Sequence, residues 1–198
     1  MIVLALDTTG GNCSVAVYDS NVGCILGSYF KHLGRGHAEH LMPAIDYVLK
    51  DSHLDISQID RVVTALGPGS FTGVRVSIAV ARGISLVLGK PALGVGNIEV
   101  LAYSHLATHD GPIMVLISLL RQRIYCQKFS SEGISLSSPV ILDYEQARFE
   151  VDSFEGGIVG SGLAAIRGIE SEGDHLPMDV LSQLGLSRTC VSPSPIYV

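Results

Sequence analysis

Ala65-Leu66-Gly67-Pro68-Gly69-Ser70-Phe71-Thr72-Gly73-Val74-Arg75 is the stretch on which the reading of this chain turns. It leaves a short apolar run, Arg61 to Ala65, that reads as a strand end. It enters a long, nearly uncharged segment that closes on Gly89-Lys90-Pro91. Three glycines and a proline suit a tight turn with positive φ. Ser70 or Thr72 is placed to accept hydrogen bonds from the first free N–H groups of a helix. A glycine-rich strand-to-helix turn can cradle an anion. This one has neither the Lys of a phosphate-gripping loop nor the glycine spacing of a dinucleotide fingerprint.

The segment from Thr72 to Leu88 carries only two ionised side chains, Arg75 and Arg82, seven apart and so on one face of a helix. Val74, Ile78, Ala81, Ser85 and Leu88 make one row; Val76, Val80, Gly83 and Val87 make another. Ser77, Ala81 and Ser85 form a ladder of small residues at spacing four, and Ala79 with Gly83 adds a small pair. A surface helix ordinarily has one apolar stripe and one charged face. A helix apolar all round is buried either in its own domain or by a partner, and both readings stand. Its length and two Arg residues argue against a membrane span.

Composition narrows the class. The chain has 198 residues, 47% hydrophobic and only 16% charged, which is ample for a core and leaves little charge to decorate a free surface. The net charge of −6 lacks the positive patch that independent nucleic-acid binding requires. The nearest basic pair is Arg121 and Arg123. Cys13, Cys24, Cys126 and Cys190 are dispersed without a C-x-x-C pair, and Met1 runs directly into an apolar strand. Both features point to reduced thiols in the cytoplasm.

The pattern along the chain predicts strands at 2–6, 13–18 and 23–30, a helix at 37–50, a strand at 60–65, and the long helix at 72–88. A strand at 91–95 and a helix at 97–106 follow. Around Gly111-Pro112 the pattern restarts. Ile113 to Ile117 parallels Ile2 to Leu6, Tyr125 to Phe129 parallels Ser14 to Tyr18, and Ser118 takes the place of Asp7. Strands near 139–142 and 157–160, a helix near 163–169, a short helix at 178–184 and an extended tail complete the chain. The expected organisation is α/β with two related units, 1–108 and 109–198, the second shorter.

Few residues offer chemistry. His37 and His40 stand three apart, and no third ligand follows by pattern, so no metal site is expected. Asp7-Thr8-Thr9 after a buried strand is where a nucleotide-handling domain places a metal-bridging Asp and a phosphate loop; a capped turn is the alternative. There is no G-x-S-x-G elbow and no paired carboxylate. A metallopeptidase or ATPase, resting on His37, His40 and Asp7, remains a competing class.

Ile2-Val3-Leu4-Ala5-Leu6-Asp7-Thr8-Thr9, His37-Ala38-Glu39-His40-Leu41-Met42-Pro43, the Ala65–Arg75 block and the terminal Pro195-Ile196-Tyr197-Val198 together resemble, in order, the bacterial TsaB family, also called YeaZ. The resemblance implies two actin-like or ribonuclease-H-like domains of the superfamily shared by sugar kinases and chaperone ATPases (ASKHA). It implies a non-catalytic scaffold in making the threonylcarbamoyl modification of the adenosine beside the tRNA anticodon. The implied partners are a TsaD-type transferase subunit, a TsaE-type ATPase subunit, and a second copy of the chain in isolation. Contact with tRNA is expected to be indirect, with no membrane. The partner-facing residues expected on the two helices are His37, Leu41, Ile45, Phe71, Thr72, Val74, Arg75, Ile78, Ala79 and Arg82. No catalytic residue and no cofactor is expected; a nucleotide at a subunit interface, touching Asp7, Thr8 and Thr9, is the open alternative. Three departures from the family pattern stand out: Ser118, Leu119, Leu120 and Arg123 where Asp, Ala, Arg and Glu are usual, a shorter second domain, and an end at Val198.

Overall fold

The computed structural model describes residues 1–171, 173–188 and 192–197. The first half runs β1 (Ile2–Asp7), β2 (Asn12–Asp19), β3 (Cys24–His32), α1 (His37–Asp51), β4 (Arg61–Ala65), α2 (Phe71–Leu88), β5 (Ala92–Val95) and α3 (Asn97–Leu106). The second runs β6 (Ile113–Leu119), β7 (Arg123–Phe129), β8 (Val140–Asp143), α4 (Tyr144–Ser153), β9 (Gly157–Val159), α5 (Ser161–Arg167) and α6 (Met178–Leu186).

Two compact units result, Met1–Asn97 with His175–Tyr197, and Ile98–Asp174. The first holds a five-stranded sheet in the order β3-β2-β1-β4-β5. β1 pairs antiparallel with β2, Asp7 opposite Ser14, and parallel with β4. Val3, Leu4, Ala5 and Leu6 are all fully buried. The reason is that the sheet is covered on both faces, by α1 and α2 on one and by α6 on the other. Leu4, Leu6, Val15 and Val17 meet Leu41, Ile45 and Val48 of α1 and Ala81 and Ile84 of α2.

The expected boundary at 108/109 is displaced at both ends. α3 falls with the second unit, and α6 with the tail returns to the first. The sheet explains the return. Leu181 is fully buried, and Gly185 lies so close to Val63 that a Cβ there would stand 2.3 Å from its Cγ2. Arg61 Nη1 donates to the carbonyls of Gly185 and Leu186 at 3.1 and 3.0 Å.

The second unit repeats the topology in smaller form, with sheet order β8-β7-β6-β9. β6 pairs antiparallel with β7 and parallel with β9, as β1 does with β2 and β4. Its core gathers Met114, Leu116, Ile124, Cys126, Ala147 and Ile166. The restart at Gly111-Pro112 is thus a repeat of structure, and both units carry the actin-like, ribonuclease-H-like strand order. α4 is the element that apolar periodicity does not reveal. It is polar, and its local signal is the capping box in which Asp143 accepts from Gln146 N and Gln146 accepts from Asp143 N.

α2 is the one helix among the described residues long and apolar enough to cross a bilayer. It lies instead on the sheet, centred on β4, with Val74, Ser77, Ile78, Ala81 and Ile84 buried.

A buried turn and the open helix face beside it

The glycine block folds directly onto the turn after β1. Ser70 caps α2, its Oγ accepting from Gly73 N at 3.3 Å. Ser70 N in turn donates to the Thr9 carbonyl at 2.6 Å, and Thr8 Oγ1 donates to the Gly73 carbonyl at 2.6 Å. The approach leaves no space for side chains. A Cβ on Gly69 would stand 2.3 Å from Thr9 O, and one on Gly73 would stand 1.9 Å from Thr8 O. These glycines serve close packing of two backbones. Gly67, at φ 91, is the one that needs the left-handed region.

Asn97, at the start of α3, completes this lock and is a residue that sequence reading passes over. Its Oδ1 accepts from Gly67 N at 3.0 Å, and its Nδ2 donates to Thr9 Oγ1 at 2.7 Å and to the Pro68 carbonyl at 3.1 Å. Thr9 N and Oγ1 both donate to Asp7 Oδ1, at 2.8 and 2.7 Å. Asp7, Thr8 and Thr9 are buried, and the two hydroxyls are engaged within the turn. Burial pushes the Asp7 carboxyl up from the ordinary carboxylate range, against the opposing pull of the Thr9 hydrogen bonds and the nearby His175 and His37. It also contributes to raising the Cys13 thiol to about 11, burial being the larger cause there. His37 Nε2 is buried without a hydrogen-bond partner, and His40 Nδ1 lies 3.0 Å from the Gly36 carbonyl. No group of three His, Cys, Asp or Glu side chains able to hold a metal comes together among the described residues.

The residues expected to face a partner divide sharply. Leu41, Ile45, Val74 and Ile78 are sealed in the first unit's own core, and His37 is buried as well. For Leu41 and Ile45 the cause is the covered sheet, whose core they share with Leu4, Leu6, Val15 and Val17. Phe71, Thr72, Arg75, Ala79 and Arg82 are exposed. At about 100° per residue, Thr72, Ala79, Gly83, Leu86 and Val87 fall within an outward arc about 100° wide. Leu86 and Val87 are each 84% exposed. A Cβ on Gly83 would meet nothing within 4 Å. The open strip is therefore small in its middle and apolar at its C-terminal end.

The strip has two borders. On one side Val80, with Val76 just inside the strip, leans into the core shared with α1, whose exposed Met42 stands on the flank opposite Tyr47. Tyr47 turns to β3, edge-on to Tyr29 at 6.0 Å between ring centroids. On the other side Arg75 and Arg82 bind the tail. Arg75 Nε donates to the Tyr197 hydroxyl at 2.8 Å, and Arg82 Nη2 donates to the Pro193 carbonyl. The Arg75 guanidinium lies 3.5 Å from the Phe71 ring centroid and 5.3 Å from that of Tyr197.

The family described as TsaD: tRNA N6-adenosine threonylcarbamoyltransferase matches residues 31–140, more than half of the chain. The tRNA threonylcarbamoyladenosine biosynthesis protein TsaB of Buchnera aphidicola subsp. Baizongia pistaciae is 29% identical over 94% of this chain and 82% of its own length. The chain belongs to this family, in its TsaB (YeaZ) group. TsaB of Haemophilus influenzae is 27% identical over 83% of the chain and 74% of its own. The solved structure of YeaZ from Pseudomonas aeruginosa superposes with a TM-score of 0.80 at 26% identity, covering 100% of this chain and 99% of that one. The TsaB group thus shares the two-unit, actin-like architecture derived above, and its relatives carry names that refer to tRNA threonylcarbamoyladenosine biosynthesis.

Proposed function

We propose that this chain is a non-catalytic docking subunit of the tRNA threonylcarbamoyladenosine machinery, working in the cytoplasm. Its partner is a TsaD-type transferase subunit, which it seats against the open strip of α2, and a TsaE-type ATPase subunit joins the pair. In isolation a second copy of the chain competes for the same strip. The observation that carries this reading is the exposure of Leu86 and Val87 beside Ala79 and Gly83 on an outward arc of α2 that carries no charge. Burying a Leu or Val side chain contributes about 1.5–3 kcal/mol, and small residues let a facing backbone come close. The acidic chain leaves the grip on tRNA to the partner. The reading as non-catalytic is supported by the turn at Asp7-Thr8-Thr9, whose hydroxyls are turned inward to Asp7, Gly73 and Asn97.

The test is co-purification with the transferase-type subunit. Charges at Val74 or Ile78 would break the core, so the informative variant is Ala79→Asp with Val87→Asp. The expected result is a protein with unchanged melting that no longer retains the transferase subunit. Retention at wild-type affinity overturns the reading.

A further inference from the structure

Arg75 and Arg82 are the only ionised side chains on α2, and both are turned toward the chain's own tail. The tail is tied down at four places. Pro193 offers its carbonyl to Arg82 and is itself buried, and Ile196 N donates to the Leu66 carbonyl at 2.9 Å. Tyr197 accepts from Arg75, and its ring lies 5.6 Å from that of Phe71. Phe71 and Tyr197 remain 58% and 54% exposed although each ring touches the other and Arg75. On the helix, Phe71, Arg75 and Arg82 share an arc about 40° wide that adjoins the open strip at Leu86 and Ala79.

We infer that residues 192–197 form a detachable strap that serves as one wall of the docking strip on α2. Arg75 and Arg82 act as positioning residues for that wall and do not bind the partner directly. This rests on the proposed docking role of α2 and extends it. The strip has a fixed wall, the α1 side with Met42, and a movable one, held by two guanidinium groups, one backbone hydrogen bond and one aromatic contact. A guanidinium suits this role. It can stack on an aromatic face and hydrogen-bond a hydroxyl or carbonyl at the same time, which an ammonium does less well. With the strap seated, a partner helix lying in the strip meets Tyr197 and Phe71 along its N-terminal edge. With the strap released, that edge is lost and two unpaired cations stand beside an apolar groove. Affinity for the partner is therefore coupled to seating of the strap.

The experiment compares the full chain with three variants: Arg75→Gln with Arg82→Gln, Tyr197→Phe, and all three changes together. Hydrogen exchange at the Ile196 amide reads strap seating without any partner. It should accelerate at least tenfold in the Arg75→Gln/Arg82→Gln protein, with melting within a few degrees of wild type. Affinity for the transferase-type subunit should fall about tenfold in that variant. Adding Tyr197→Phe should cause no further loss, because the hydroxyl it removes has already lost its donor. Unchanged Ile196 exchange overturns the strap, as does faster exchange with full affinity. Independent, additive losses from the Arg and Tyr changes would make Arg75 a direct partner contact and also overturn it. The Ala79→Asp/Val87→Asp protein keeps the two readings apart. It should lose the partner while Ile196 stays protected, and if it retains the partner, the docking role of α2 fails whatever the strap does.

Discussion

The Thr8 carbonyl oxygen stands where Gly73 would need to carry a β-carbon: an ideal Cβ there would come within 1.9 Å of it. The contact is reciprocal, since the Gly73 carbonyl accepts the Thr8 hydroxyl at 2.6 Å. The first turn of α2 is thus laid directly on the turn after β1. Gly73→Ala should destabilise the protein by about 3 kcal/mol, at the upper end for a forced overpacking. Urea unfolding with an unchanged m-value measures this, and a loss below 1 kcal/mol would show that the two turns can separate.

Gly83 sits ten residues further along the same helix, in a different situation. Nothing lies within 4 Å of the Cβ it lacks. As an exposed glycine in a helix interior it costs conformational entropy and satisfies no contact of the isolated chain. Gly83→Ala should therefore stabilise the free protein by about 0.5–1 kcal/mol. If the strip takes a closely packed partner, the same change should also weaken association. Differential scanning calorimetry of the free chain and titration with the transferase-type subunit should thus move in opposite directions.

Asn97 joins the Gly67 amide, the Thr9 hydroxyl and the Pro68 carbonyl in one buried set. Asn97→Ala leaves a buried donor at Gly67 and an acceptor at Pro68 without their partner. Each unsatisfied group costs about 1–3 kcal/mol, so the total loss should be roughly 3 kcal/mol, readable by thermal or urea unfolding. Asn97→Ala with stability near wild type would mean that water or a relaxed loop replaces the amide.

How much of this was legible beforehand depends on what kind of signal each part leaves. The continuous apolar run Ile2 to Leu6 announces a strand covered on both faces, and the restart at Ile113 announces the second unit, because hydrophobic burial is written in local periodicity. The capping Ser70 and the terminal Gly89, at φ 62, are likewise local. The return of α6 to the first sheet is not local. Nothing in Met178–Leu186 says which of two similar sheets it will cover; that is decided by Gly185 against Val63 and by Arg61 reaching its C-terminal carbonyls. The proposed docking face shows the same limit. Two apolar rows on α2 and a half-apolar α1 reveal that a partner or a core must cover them. Which arc is buried depends on tertiary packing: Leu41, Ile45, Val74 and Ile78 went inside, while Leu86 and Val87 stayed outside. Arg75 and Arg82 read as partner contacts because their true acceptors, Tyr197 and Pro193, lie more than a hundred positions away.

Burial raises the Asp7 carboxyl above its unfolded value. The sign of the linkage follows. A carboxyl with a raised folded pKa binds more protons in the native state, so its favourable share of stability is full below the unfolded value of about 4. That share is lost as pH climbs through the raised folded value. At neutral pH, where the unfolded carboxyl is ionised, Asp7 therefore opposes folding relative to a neutral isostere. Asp7→Asn keeps an Oδ1 to accept from Thr9 N and Thr9 Oγ1, and should raise stability at pH 7 while leaving it little changed near pH 4. Unfolding curves across that range should show a flatter pH profile. A variant less stable at pH 7 than the parent would mean that the Thr9 hydrogen bonds and the neighbouring His175 and His37 favour the Asp7 carboxylate more strongly than burial opposes it.

Leu86 and Val87, each 84% exposed, contribute almost nothing to the first unit by burial. Surface substitutions of this kind change stability by about 0.5 kcal/mol or less, so Leu86→Ser with Val87→Ser should melt within a degree or two of the parent. Association is another matter. Two large apolar side chains buried together between copies contribute about 3–6 kcal/mol at the common value per side chain, a large part of what a weak dimer needs. Sedimentation equilibrium should show self-association of the parent weakened at least tenfold in the double variant. Self-association that persists unchanged would put the contact between copies somewhere other than the C-terminal end of α2, and the shared use of this strip by a second copy and by the transferase-type subunit would fall with it.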